Sequence, residues 1–260
     1  MPIIMSKSFG PTSTTDDTVT TIGSAYQFPS TVDVTCTKIR LAYGETTATI
    51  EVAGHIIIVV PGVPGSPFCY AFGNAGGGAA ADRSQTKAEE IDCRIPIPRN
   101  TTVTVKALTA EEVAEVTISL LCEPGCNKDG GEMTLMAGGT GADGTADVAL
   151  SLTANAKATA LGATGLTPYR NGMLRRIRFA AGNLVDSKSA SGVLALVISG
   201  YPLPLEFACG KGNGGDTSGQ IGETDVINNL GVPVVANSAI TITWTGAEVD
   251  VSATVSLHCD

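Results

Sequence analysis

Thr37-Lys-Ile-Arg-Leu-Ala-Tyr-Gly44 returns 138 residues later as Arg175-Arg-Ile-Arg-Phe-Ala-Ala-Gly182, and this pair decides how the chain is organised. The same spacing runs without a gap to Pro64 and Pro202. Eight of those 28 pairs are identical, where composition alone would give about two. Further on the offset becomes 137, which sets Pro96 on Pro233, Asn100 on Asn237 and Thr104 on Thr241. The copies end alike, as Thr117-Ile-Ser-Leu-Leu-Cys-Glu123 and Thr254-Val-Ser-Leu-His-Cys-Asp260. Upstream, Met5, Gly10 and Asp16 fall on Met136, Gly141 and Asp147 at an offset of 131, which leaves almost nothing over as a linker. The chain reads as a tandem duplication, with units over 1–125 and 126–260.

Each unit reads as β. Thr101-Thr-Val-Thr-Val-Lys106 and Ile240-Thr-Ile-Thr-Trp244 alternate polar and apolar residues, and clusters of Gly, Pro, Asn and Asp interrupt the chain at short intervals. Strands are expected near 18–23, 31–42, 47–59 with a break at Gly54, 67–73, 92–97, 101–107 and 115–122. In the second unit they are expected near 146–153, 172–181, 187–199, 204–209, 226–234, 239–245 and 250–259. Helical signals are confined to Ser84–Ile91, with Lys87, Glu89 and Glu90, and to a turn from Thr109 to Glu115. Seven or eight strands in about 130 residues fit an all-β fold of two eight-stranded jelly-roll β-sandwiches in tandem.

Composition narrows the function. Sixteen Lys+Arg against 25 Asp+Glu give a net charge of −9, so attraction to phosphate backbones or anionic lipid is not expected. Met1-Pro-Ile-Ile-Met5 lacks the basic and apolar regions of a secretory signal, and Ile56–Val60 is far short of a membrane span. A soluble protein is expected. Seven cysteines, an odd number in a chain large enough to fold without staples, are expected to be mostly buried thiols.

Two tandem β-sandwiches with tight loops, the Ile39-Arg40-Leu41 and Ile177-Arg178-Phe179 strands, the Pro-x-x-x-Asn approach to the penultimate strand and the closing Ser-Leu-x-Cys strands carry a family likeness. The chain resembles the double jelly-roll major capsid proteins of tailless icosahedral viruses of bacteria and archaea. The resemblance implies a viral structural protein of the virion, assembled in the host cytoplasm as a homotrimer whose six jelly rolls form a pseudo-hexagonal block. It implies partners in neighbouring capsomers and in minor capsid or membrane proteins; the chain's own residues and charge lead to no expected ligand, no cofactor and no direct contact with nucleic acid. The alternative from another class is a cellular surface or filament-forming tandem β-sandwich protein.

Catalytic and metal constellations are sparse. A two-cupin metal site needs more imidazoles than His55 and His258, the only two in the chain. No Gly-x-Ser-x-Gly elbow is present, and a Ser/His/Asp site would have to use one of those two histidines without a local signature. The glycine-rich stretches 73–78 and 210–215 lack the Gly-Lys-Ser/Thr ending of a phosphate loop and read as loop tips. Gly138-Gly-Thr-Gly-Ala-Asp143 matches the first six positions of a calcium-binding nonapeptide, which makes Asp143 and Asp147 weak metal candidates, but a single copy cannot stack into that site. Cys122-Glu-Pro-Gly-Cys126 has no second pair to complete a zinc site; Cys122 and its match Cys259 read as filling a small slot at the end of each last strand.

The densest basic group remains. Arg176 and Arg178 share one face of an alternating strand, as do Lys38 and Arg40 in the first copy. The stripe is either a solvated face or a subunit contact with acidic residues of a neighbour around Glu89-Glu90 or Glu111-Glu112.

Overall fold

A computed structural model describes residues 5–14, 19–45, 52–74, 87–109, 114–125, 131–140, 149–152, 168–183, 190–211, 224–246 and 251–260. The first half contains β1 (Met5–Ser13), β2 (Thr20–Thr21), β3 (Tyr26–Gln27), β4 (Val34–Glu45), β5 (Val52–Val59), β6 (Phe68–Asn74), β7 (Lys87–Ile97), β8 (Thr102–Thr109) and β9 (Ala114–Pro124). The second contains β10 (Met133–Thr140), β11 (Ala149–Leu152), β12 (Gly172–Asn183), β13 (Ala190–Ile198), β14 (Leu205–Lys211), β15 (Asp225–Ile227), β16 (Val232–Val234), β17 (Ile240–Gly246) and β18 (Val251–Cys259). No helix occurs among the described residues, and all the strand pairs are antiparallel.

The strands form four sheets. One runs β1-β9-β4-β7 and another β10-β18-β12-β15, with β16 also on β12. The other two run β2-β8-β5-β6, with β3 also on β8, and β11-β17-β13-β14. Position for position, the two halves have the same order.

Register repeats with it. Cys36 stands opposite Cys122 and Leu174 opposite Cys259; Ile39 faces Leu120 and Ile177 faces Leu257. A bulge falls between Cys36 and Lys38 and again between Leu174 and Arg176. Pro96 pairs with Thr35 and Pro233 with Met173, and Asn100 and Asn237 both take left-handed backbone conformations, at φ 61° and 60°. The upstream match needs a correction, because Met5 faces Cys122 as Met133 faces Cys259. The structural offset there is 128, and Met5 corresponds to Met133 rather than to Met136.

Each half closes its own apolar core. Alternation sends Ile39, Leu41, Ile56, Ile58, Ile118 and Leu120 into the first, and Leu174, Ile177, Leu194, Leu196, Val255 and Leu257 into the second. Each such side chain contributes about 1.5–3 kcal/mol by leaving water. A third, smaller cluster of Ile57, Cys69, Leu108 and Met136 joins the outer face of the β5/β6/β8 sheet to β10 of the other half.

Three expectations change. Lys87 to Ile91, read as helical, is the start of β7, because pairing from Tyr43↔Lys87 to Ile39↔Ile91 overrides the weak strand propensity of Lys, Ala and Glu. Residues 84–86 lie outside the described residues. Gly54 does not break its strand: β5 runs through it, paired with Phe72 on one side and Thr109 on the other, and glycine is needed because a Cβ there would lie 2.3 Å from the Leu108 carbonyl and 3.1 Å from the Phe72 ring. Thr109 and Ala114–Glu115 belong to β8 and β9, and the residues between them lie outside the described ones.

Candidate assembly interface

β6 ends its sheet, so every second backbone group along it points away from β5. Such an edge invites a partner, and here the second half supplies it with side chains. Thr134 Oγ1 accepts from the Cys69 N–H at 2.7 Å, Ser256 Oγ from Ala71 N–H at 2.9 Å and Thr224 Oγ1 from Gly73 N–H at 3.2 Å. Arg178 Nε donates to the Ala71 carbonyl at 3.0 Å, and its guanidinium closes an ion pair with Glu89 on β7. The three hydroxyls and the guanidinium sit on the outer face of β10, β18 and β12, or just ahead of β15. Neighbours such as Ile177, Phe179, Val255 and Leu257 point the other way, into the core.

Glu132, just before β10, is the second tie. Its carboxylate accepts from the Tyr70 hydroxyl, from the Arg94 N–H at 3.1 Å and from His258 Nδ1 at 3.3 Å, and Arg176 stands 3.6 Å away. Burial raises the Glu132 pKa, but the hydrogen bond and charge of His258, the Tyr70 hydroxyl and Arg176 outweigh it and hold the carboxyl at about 2. Burial pushes His258 down, aided by Arg176 and Arg178 against the pull of Glu132. Arg176 also reaches the Asp92 carbonyl at 2.8 Å. His55, on β5, donates from Nε2 to the Val255 carbonyl at 2.9 Å while Nδ1 is buried without a partner; burial depresses its pKa to about 4.

Ser256, His258 and Glu132 therefore stand in the order of an acyl-transfer triad, with Ser256 Oγ 2.9 Å from His258 Nε2. A cleft of about 550 Å³ opens beside them, lined by Glu132 and His258 together with Arg94, Arg175, Arg176 and Asp260. Ser256 does not line it. Its side chain is wholly buried under β6, and one lone pair is already taken by Ala71 N–H. The line lacks an accessible nucleophile and works as a structural tie across the seam.

The sequence-derived residues separate accordingly. Arg176 and Arg178 share a face, as alternation requires, but the acid that Arg178 meets, Glu89, belongs to its own chain, and Arg178 is only 3% exposed. For Arg178 this replaces the expected neighbour contact by a seam within the chain. Lys38 and Arg40 lie on the exposed outer face of β4, 3.4 Å and 3.6 Å from Glu90. Asp143, Asp147, Cys126 and Glu111-Glu112 lie outside the described residues. Cys36, Cys69, Cys93, Cys122 and Cys259 form no disulfide among the described residues, and all but Cys93 are fully buried. Glu132, Thr134 and Thr224 escaped the sequence reading; their partners lie 38 to 151 residues away, and no local pattern marks them.

No protein-family model matches the chain, and no curated protein matches it.

Proposed function

We propose that the chain is a viral major capsid protein of the double jelly-roll kind, a structural subunit that forms homotrimeric, pseudo-hexameric capsomers. The observation that carries this reading is the strand order common to both halves. Counting β2/β3 and β15/β16 as single strands, each half runs first-eighth-third-sixth in one sheet and second-seventh-fourth-fifth in the other. An eight-stranded jelly roll built from two Greek keys has its strands in this order, which supports the reading. Two such sandwiches in one chain offer two similar flanks, and a threefold axis turns three chains into six near-equivalent edges, the geometry of a hexagonal tile. Covalent linkage holds the two halves at high effective concentration, so the seam between them need not be strong alone.

On this reading the chain has no catalytic role and needs no cofactor, and its partners are copies of itself and other shell proteins. Light scattering coupled to gel filtration tests it: the expected mass is three times the 26.4 kDa of one chain. A monomer, or growth only into open fibres, would overturn it in favour of the filament alternative.

A further inference from the structure

The two halves share a register, but among the described residues only one of them has its outer β-face covered. In the first half the β5/β6 face and the free edge of β6 are sealed by β10, β12 and β18 of the second. In the second half the matching strands are β13 and β14, and no described residue lies over them. Val193 and Val197 on β13 are 39% and 48% exposed, where their counterparts His55 and Val59 are buried and half-buried at the seam. β14 ends its sheet, and Glu206 and Ala208, in the positions of Cys69 and Ala71, are exposed.

The complementary surface is also present, on the opposite side of the first half. Register places Ser6 where Thr134 stands, since they face Leu121 and His258. It places Ser119 where Ser256 stands and Arg40 where Arg178 stands, since Arg40 faces Ser119 as Arg178 faces Ser256. Of the four side chains that hold the β6 edge, three thus recur with the same hydrogen-bonding chemistry; the fourth, Thr224, is replaced by Ala88. Even the acid recurs, because Asp225 occupies the position of Glu89.

We infer that the β13/β14 face of one copy docks on the β1-β9-β4 face of a second copy of this chain, repeating between chains the seam found within one. Ser119 then accepts from the Ala208 N–H, Ser6 from the Glu206 N–H, and Arg40 spans the Ala208 carbonyl and Asp225. Val193 and Val197 lie under the contact. The contact is heterologous, so copies join head to tail, and closure after three makes the ring of six sandwiches. This deepens the capsid reading and rests on its premise that copies associate.

The test uses the full chain with three changes, on residues that are exposed or half-buried: Val197→Glu, Arg40→Asp, and the swap Arg40→Asp/Asp225→Arg. Light scattering reads mass and thermal melting reads folding. The first two are expected to fall to the mass of a single chain with the wild-type melting temperature, and the swap to recover the wild-type assembly. Single variants that keep the wild-type assembly, or a wild type that stays monomeric at every concentration, would overturn the inference. The capsid reading fails separately: fibres that dissolve on Arg40→Asp and return with the swap retain this contact and exclude the closed ring, whereas trimers indifferent to all three variants retain the ring and exclude this contact.

Discussion

Arg178 of the second half donates to the carbonyl of Ala71 of the first at 3.0 Å, with its guanidinium paired to Glu89. The bond ties an inner strand of one sheet to the edge strand of another, and both charges are nearly out of water. Breaking such a pair from one side leaves the other charge buried and unmatched, at a cost of about 3–5 kcal/mol. Arg178→Met is therefore expected to lower the melting temperature by roughly 10 °C. Arg178→Met combined with Glu89→Leu is expected to recover most of that loss, because no charge is left stranded. Equal losses in the single and double variants would show that the pair is not what holds the seam.

The antiparallel strand order was legible where identity and alternation coincided. Pro96 and Pro233, Asn100 and Asn237, and the Ile39 and Ile177 strands occupy matching places, down to the same left-handed turn at both asparagines. The first strand of each half carries no local signal of its own. Met5–Ser13 carries Ser, Lys, Gly and Pro where β-branched residues would have signalled a strand, and it owes its conformation to pairing with β9. The arginine stripe was legible as a shared face, but what that face meets was not. Sequence periodicity fixes which way a side chain points, not which of two acidic neighbours, in the same chain or another, stands opposite.

Acid should weaken the fold in two stages. His55, held at about 4, lies below the 6.5 of an unfolded histidine. Between those values the unfolded chain takes up a proton that the folded chain refuses, so stability falls as pH drops from about 6.5 to 4 and the loss then levels off, at about 3 kcal/mol for this one group. His258 is displaced in the same direction and adds to the loss. Glu132, held at about 2, contributes stability that is present above 4.5 and disappears as pH falls through 2. Urea unfolding across this range is expected to give a shallower slope between pH 6.5 and 4 for His55→Val, the residue found at the matching position 193. Superimposable slopes would contradict the assignment.

Gly54 sits mid-strand with no room for a methyl group against the Leu108 carbonyl. Gly54→Ala is expected to cost about 1–3 kcal/mol through displacement of β8 or the Phe72 ring. Denaturant midpoints check this, and an unchanged midpoint would mean that the strands can spread at no cost.

Chelators are expected to leave the melting temperature unchanged, since no cluster of three or more His, Cys, Asp or Glu suited to a metal occurs among the described residues. A fall of several degrees on adding EDTA would point back to Asp143 and Asp147 as an ion site.

Negative-stain electron microscopy of the purified, assembled protein tests the account at its centre. The capsid reading predicts hexagonal blocks about a threefold axis, closing into shells where assembly is complete. Open filaments, with sandwiches following one another along a line, would contradict it.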